Sequence, residues 1–180
     1  MRLQIVYGQG FAETVAEPAK LEAKLAASRR ELEVLQREAD EEASELKVTR
    51  VGRQWQRLGR YLRLIGRFEE AEAAVQEAMA IWASYERKRA RFVCGLQLVE
   101  IDLGRGRLKE ALERIEELEA SMDEALEVYA DQVWEARGRC LAASREPEAA
   151  RRALSRALKV RRQRGNQRHI EVTQDLMERI

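Results

Sequence analysis

Few side chains in this sequence have the types and spacing that catalysis needs. His169 is the only histidine among 180 residues, and Cys94 and Cys140 are the only cysteines. Structural zinc sites need ligands at short paired spacings, and a nucleophile needs a base beside it. Because these three residues lie far apart and the two cysteines fall in helical stretches, we expect no catalytic residues, no metal site and no disulfide framework.

A pair of glycines, Gly8 and Gly10, follows a short apolar stretch near the N-terminus. A dinucleotide site needs such a turn between a strand and a helix, inside a βαβ unit. Here the following segment has a helical pattern and no second strand comes after it. We therefore expect no cofactor, and the sequence as a whole predicts a protein that is not an enzyme.

Composition and charge favour a soluble helical protein. Charged residues make up 36% of the chain and apolar residues 45%, with two prolines, which is typical of a largely helical chain. The 33 basic and 32 acidic residues give a net charge of +1, so bulk charge indicates no polyanionic partner. No apolar run approaches the roughly 20 residues of a membrane span, and a signal-peptide pattern is absent. We expect a cytoplasmic location and no membrane contact.

A short pattern recurs about every forty residues and predicts helical hairpins. Gly66 to Ala71 read Gly-Arg-Phe-Glu-Glu-Ala, and Gly106 to Ala111 read Gly-Arg-Leu-Lys-Glu-Ala. A third copy begins at Arg145, reads Arg-Glu-Pro-Glu-Ala-Ala and lacks the glycine. A glycine ends a helix in the left-handed conformation without steric cost, and small residues let antiparallel helices approach closely. Neither helix of such a pair buries its apolar stripe alone, so the pairs must stack.

The apolar spacing predicts three hairpins followed by a last helix that caps the final hairpin. The predicted helices span residues 48–65, 68–87, 89–103, 108–122, 123–143, 147–164 and 167–180.

The first and third copies resemble the hairpin of the tetratricopeptide repeat family. The residues that match its characteristic positions are Trp55, Leu58, Gly59, Gly66, Ala71 and Ala78, then Trp134, Gly138, Ala150, Leu154 and Ala157. The resemblance covers roughly residues 48–164, although the period is about forty rather than about 34 residues and Asp102 stands at a normally apolar position. It implies an all-α fold: a right-handed stack of about three hairpins (an α-solenoid) with an N-terminal helix and a C-terminal capping helix.

The resemblance also implies a concave groove lined by the first helix of each hairpin. The family's ligand-facing positions fall on Gln56, Arg60 and Arg63, on Gln97 and Glu100, and on Glu135 and Arg139. Arginine binds carboxylates through two parallel hydrogen bonds, so Arg60, Arg63 and Arg139 would hold an acidic or carboxylate-bearing segment. We expect a non-enzymatic scaffold or adaptor that binds another protein or peptide of acidic character.

Residues 1–47 form an N-terminal arm and helical segment in this interpretation, and residues 48–180 form the repeat domain. Leu21, Leu25, Leu32 and Leu35 fill part of a heptad pattern. This pattern predicts either a helix that packs on the first repeat helix or a coiled coil that joins two chains into a homodimer. A break around residues 40–44 would allow a helical hairpin, and residues 1–12 predict a short strand or a disordered arm.

Charge is segregated along the chain and leaves alternatives open. Residues 50–67 carry six arginines and residues 151–168 carry eight basic residues, both without an acid, whereas residues 110–131 are strongly acidic. The basic C-terminal helix would suit a regulatory or nucleic-acid-associated module with salt-dependent affinity for phosphates. The acidic segment would repel a long duplex, so the sequence favours a protein partner over nucleic acid. A structural homo-oligomer through the N-terminal helix is the other alternative.

Overall fold

The structure, a computed structural model, describes residues 5–7 and 11–180, and these residues form an all-α fold with one small β-hairpin. Strands β1 (Ile5–Tyr7) and β2 (Glu13–Val15) pair antiparallel, with Tyr7 opposite Glu13. The helices are α1 (Pro18–Glu41), α2 (Glu45–Leu64), α3 (Phe68–Ser84), α4 (Lys88–Gly104), α5 (Leu108–Ala120), α6 (Ala130–Ala143), α7 (Pro147–Gln163) and α8 (Gln167–Glu178).

Helix α1 packs along α2 within the chain. Leu25, Leu32 and Leu35 of α1 are buried in one cluster with Leu58 and Leu62 of α2. The two helices are separated by the short break predicted at residues 40–44. Ser44 begins α2 by accepting a hydrogen bond from the backbone N–H of Lys47 at 3.3 Å, a typical N-cap. The structure thus follows the first of the two predictions for this segment, a helix packed on the first repeat helix.

Each helix packs on its successor from α1 to α8, and α4 also contacts α2 and α6. The buried apolar side chains form one cluster from α1 to α4 and a second from α4 to α6. These contacts make a helical repeat-like all-α fold. No α-helix in the described part of the chain is long and apolar enough to cross a bilayer.

The glycines of the first and third hairpins lie where two helices approach closely. A methyl group added at Gly59 would lie 2.7 Å from Cγ2 of Val75, and one at Gly138 would lie 2.6 Å from Cγ of Leu154. Ala71 and Ala150, both fully buried, face the same two glycines through their carbonyl oxygens. The predicted role of these small residues in helix packing is therefore confirmed.

Several helix boundaries differ from the predicted ones by one to seven residues, and two of these differences have a clear local reason. Helix α3 ends at Ser84 rather than residue 87, because Glu86 has a left-handed φ of 52°. Helix α6 begins at Ala130 rather than residue 123. The side-chain oxygen Oδ1 of Asp123 accepts a hydrogen bond from the N–H of Leu126 at 3.1 Å, which forms a turn, and a 3₁₀ turn at Glu127–Tyr129 follows.

The turn that joins the two helices of each hairpin needs a left-handed residue. Gly66 and Gly106 have φ values of 79° and 73° at this position, and Arg145 has a φ of 61° at the equivalent position of the third copy. Left-handed backbone costs a residue with a side chain roughly 1–2 kcal/mol relative to glycine. The third turn therefore keeps the geometry of the first two although it lacks the glycine.

We expect Arg145→Gly to raise the free energy of unfolding by about 0.5–1 kcal/mol, because it removes backbone strain but gives the unfolded chain more freedom. The measurement is urea unfolding followed by circular dichroism. Arg151→Gly is the matched control, since Arg151 is also exposed but lies inside α7. That change should lower stability by about 1 kcal/mol. A loss of stability in Arg145→Gly would contradict the assigned turn geometry.

Candidate binding groove

A cavity of about 420 Å³ lies between α2, α4, α6 and the C-terminal helices, with the N-terminal hairpin at its edge. Its walls carry both charges, and its volume lies within the range of sites that hold a small ligand or a few side chains of a larger one. The charged lining residues are Glu13, Arg60, Arg63, Glu100, Glu135, Arg161 and Arg168.

Arg139 is the most deeply buried charged side chain beneath this cavity, with 1% of its surface exposed. Its Nη1 and Nη2 atoms donate to the two carboxylate oxygens of Glu100 at 2.6 and 2.9 Å, and its Nε donates to the carbonyl of Phe11 at 2.8 Å. The ring of Tyr7 lies 5.0 Å from the guanidinium carbon. A buried guanidinium is tolerated only when its donors are satisfied, and here Glu100 of α4 and the Phe11 carbonyl accept from them.

Arg63 extends this ionic network from α2 to the N-terminal hairpin. Its Nη2 donates to Glu13 at 2.8 Å and its Nη1 donates to Glu100 at 3.3 Å. Burial alone would raise the pKa of Glu13, but Arg139 and Arg63 outweigh burial and hold that pKa below its usual range. The carboxylate of Glu13 is therefore an ionised ligand of the two deep arginines.

A second ionic cluster surrounds Arg161 at the end of α7. Its Nε donates to Asp131 at 2.9 Å, its Nη1 donates to Thr173 at 2.6 Å, and the guanidinium also pairs with Glu135. Burial raises the pKa of Glu135, against the opposing influence of Arg161 and Arg139. This cluster joins α6, α7 and α8, so it fixes the capping helix to the last hairpin.

Two cations on the rim of the cavity remain uncompensated. Arg60 of α2 and Arg168 of α8 are exposed and line the cavity. Neither forms a hydrogen bond or an ion pair with any residue that the structure describes. Arg60 lies near enough to Glu13 to help lower its pKa. The rim is therefore positive. The acids of the cavity floor, which are Glu13, Glu100 and Glu135, already have arginine partners.

The structure brings most of the predicted groove residues together. Five of them line the cavity: Arg60, Arg63, Gln97, Glu100 and Glu135. Arg139 lies below them, bonded to Glu100. Gln56 does not line this cavity; its Nε2 donates to the carbonyl of Ala90 at 3.3 Å and contacts Sγ of Cys94 at 3.4 Å.

The accessibility of two predicted ligand-binding arginines differs from the expectation. We expected Arg63 and Arg139 to face a ligand, but both are buried, and Glu13 and Glu100 accept hydrogen bonds from their Nη atoms. The helical spacing predicts which face these side chains lie on but not that acids of this chain neutralise them. Arg161 and Arg168 belong to the basic run at residues 151–168. No sequence pattern indicates a role for Glu13.

The basic residues of the run at 151–168 differ in their surroundings: some pair with an acid, one lies over an aromatic ring and others are exposed. Arg161 and Arg164 bond to Asp131, whereas Arg156 lies 4.5 Å from the ring of Trp134. The other basic residues of α7 are exposed and form no ion pair within the described ranges; they are Arg151, Arg152, Lys159 and Arg162.

The remaining candidates for chemistry have structural surroundings. Cys94 and Cys140 are buried free thiols, and burial raises the pKa of each to about 12, which suppresses the reactive thiolate. Asp102, at its normally apolar position, is buried and accepts a hydrogen bond from Nε of Arg114 at 2.7 Å, and it also pairs with Arg107. Gly8 and Gly10 lie outside the described residues.

Comparison with known proteins supplies no relative for this arrangement. No family model matches the chain, and no curated protein or solved structure matches it. The resemblance to tetratricopeptide repeats therefore rests on the residues quoted above.

We expect the ion pairs of Glu13 to make stability depend on pH. Because its folded pKa lies below its unfolded value of about 4.3, Glu13 stabilises the fold above that value, and the contribution disappears as pH falls through the folded pKa. Between about pH 7 and about pH 3, Glu13→Gln should lose less free energy of unfolding than the unmodified chain. Urea unfolding at both pH values measures this, with the exposed Glu17→Gln as control. Equal losses in all three proteins would contradict the assigned ion pairs.

Proposed function

We propose that this protein is a non-enzymatic interaction scaffold whose groove binds an acidic segment of a partner protein. The observation that carries the proposal is the pair of exposed, uncompensated arginines, Arg60 and Arg168, on the rim of the cavity. The acids that line the cavity floor, Glu13, Glu100 and Glu135, each have an arginine partner already. An added carboxylate therefore meets an unbalanced positive rim.

The scaffold itself is, in this proposal, a right-handed α-solenoid of about three tetratricopeptide-like hairpins. The contacts of α4 with both α2 and α6 support it, because the first helices of stacked hairpins lie side by side in such a fold. The close approaches at Gly59 and Gly138, in equivalent positions of two hairpins, support it as well. A rigid row of α2, α4 and α6 would hold the groove residues at fixed separations.

The energetics favour a protein segment over a small acid. An exposed ion pair contributes only about 0.2–1 kcal/mol, so two rim arginines supply far less than the roughly 8 kcal/mol of a micromolar complex. The rest must come from contacts along the neighbouring helix faces, which an extended chain can reach. The rim arginines would thus select an acidic segment and set its position.

We expect the double variant Arg60→Glu/Arg168→Glu to weaken binding of an acidic peptide at least tenfold, because it reverses the charge of the rim. The probe is a fluorescein-labelled, end-blocked peptide of alternating Glu and Thr, followed by fluorescence anisotropy at low salt. The same peptide with Gln in place of Glu should not bind. The melting temperature should fall by only a few degrees, since both arginines are exposed and form no ion pair with the described residues, and the small loss comes from the acid placed near Glu13.

The matched control reverses two exposed charges on α7 outside the cavity, Lys159→Glu and Arg162→Glu. This control should bind the peptide like the unmodified protein, apart from a small effect of net charge. If the α7 variant loses binding and the rim variant keeps it, the basic face of α7 is the interaction surface and the groove is excluded.

A further inference from the structure

The groove already holds a segment of its own chain that carries one carboxylate, that of Glu13. We call residues 5–7 and 11–15 the arm; they include both strands of the β-hairpin. Glu13 of the arm bonds to Arg63 at 2.8 Å, and the Phe11 carbonyl accepts a hydrogen bond from Arg139 at 2.8 Å. The arm thus presents a carboxylate and a backbone carbonyl to the two deep arginines, as an acidic peptide would.

The attachment of the arm differs along its length. Val15 is buried with Leu21 and Leu64, which anchors the end nearest α1. Thr14 donates a hydrogen bond to the carbonyl of Leu64 at 3.2 Å. Among residues 5–7 and 11–13, Glu13 bonds to Arg63 and the Phe11 carbonyl to Arg139. Ala12 is partly buried against the apolar cluster of α4 to α6, so charged contacts and one small apolar contact hold this part of the arm.

The backbone of the arm is strained at the point where it enters the groove. Phe11 has a left-handed φ of 59°, which costs a residue with a side chain roughly 1–2 kcal/mol. Such strain persists only where surrounding contacts enforce it. Here Arg139 binds the Phe11 carbonyl, and the guanidinium carbon of Arg179, directly after α8, lies 5.6 Å from the centre of the Phe11 ring. Release of these contacts would also release the strain.

We propose that the arm is a tethered acidic ligand that competes with the partner's acidic segment for Arg63 and Arg139. The inference rests on the proposed function, and it adds the regulation of that site. An incoming acidic segment first meets Arg60 and Arg168 on the rim. Its carboxylate then replaces Glu13, and residues 5–7 and 11–13 leave the groove while Val15 stays anchored. The arm therefore lowers the affinity of the groove for weakly acidic partners.

The short connection to α1 makes the competition effective. Only Ala16 and Glu17 separate β2 from the start of α1 at Pro18. A short tether gives an effective concentration in the millimolar range, so a free segment with the same contacts must exceed that concentration to displace the arm. Loss of the Glu13 charge should therefore increase the apparent affinity for a free acidic segment.

The first test compares binding of the labelled Glu–Thr peptide to full-length Glu13→Gln and to the unmodified chain. The variant should bind about tenfold tighter, which corresponds to about 1.4 kcal/mol. Glu17→Gln is the matched control, because Glu17 is an exposed acid at the base of the arm that pairs with Lys20 outside the groove. It should bind like the unmodified chain. Equal or weaker binding by Glu13→Gln would overturn the proposal.

The second test needs no variant and uses hydrogen exchange of the unmodified chain. Saturating Glu–Thr peptide should speed amide exchange at residues 5–7 and 11–13 and leave the core of α4 unchanged. Unchanged or slower exchange in the arm at saturation would overturn the displacement.

The two proposals fail in different ways. If the peptide binds and Arg60→Glu/Arg168→Glu abolishes binding, the proposed function of the groove stands. If, in addition, Glu13→Gln has an unaltered affinity and amide exchange in the arm does not change, the competition alone is rejected. If the peptide binds none of these proteins, both proposals fail.

Discussion

The burial of the Arg139 guanidinium is the constraint on which the groove depends. A charge removed from water must be surrounded by acceptors in good geometry. Arg139 obtains them from Glu100 of α4 and from the Phe11 carbonyl of the arm, while α6 supplies the arginine itself. Three elements distant in sequence must therefore meet at one point. Glu100 also accepts a hydrogen bond from Arg63 of α2, so the same constraint sets the spacing of α2, α4 and α6.

This network explains why the charges on the floor of the groove are paired and largely buried, whereas those on its rim are exposed and unpaired among the described residues. On the floor, arginines and acids neutralise one another, and breaking one pair would leave a buried charge without a partner. On the rim, Arg60 and Arg168 are exposed and have no such constraint. Under the proposed function, substitutions at the rim would alter binding with little effect on the fold, whereas substitutions on the floor would alter both. In the account proposed here, Glu13 lies between these two cases, because it is part of the floor but belongs to a segment that can move.

The sequence predicted the fold better than it predicted the site, for physical reasons. Helical periodicity and small residues such as Gly59 and Gly138 depend on local geometry, so they predicted hairpins that the structure contains. The burial of Arg63 and Arg139 depends instead on which distant acids meet them. Glu13 lies in a strand of three residues, too short for any periodic signal, so its contact with α2 could not be anticipated. The same limit applies to local turns such as the one at Asp123, where a side-chain hydrogen bond delays α6.

A double-mutant cycle on Glu100 and Arg139 tests the central claim most directly. The free energy of unfolding is measured for Glu100→Gln, Arg139→Met and the double variant. We expect each single change to cost about 3–5 kcal/mol, because each removes the main charged partner of a buried group. The double variant should cost clearly less than the sum, with a coupling above about 1.5 kcal/mol. Additivity to within about 0.5 kcal/mol would show that the two side chains do not form the buried pair, and would contradict the account.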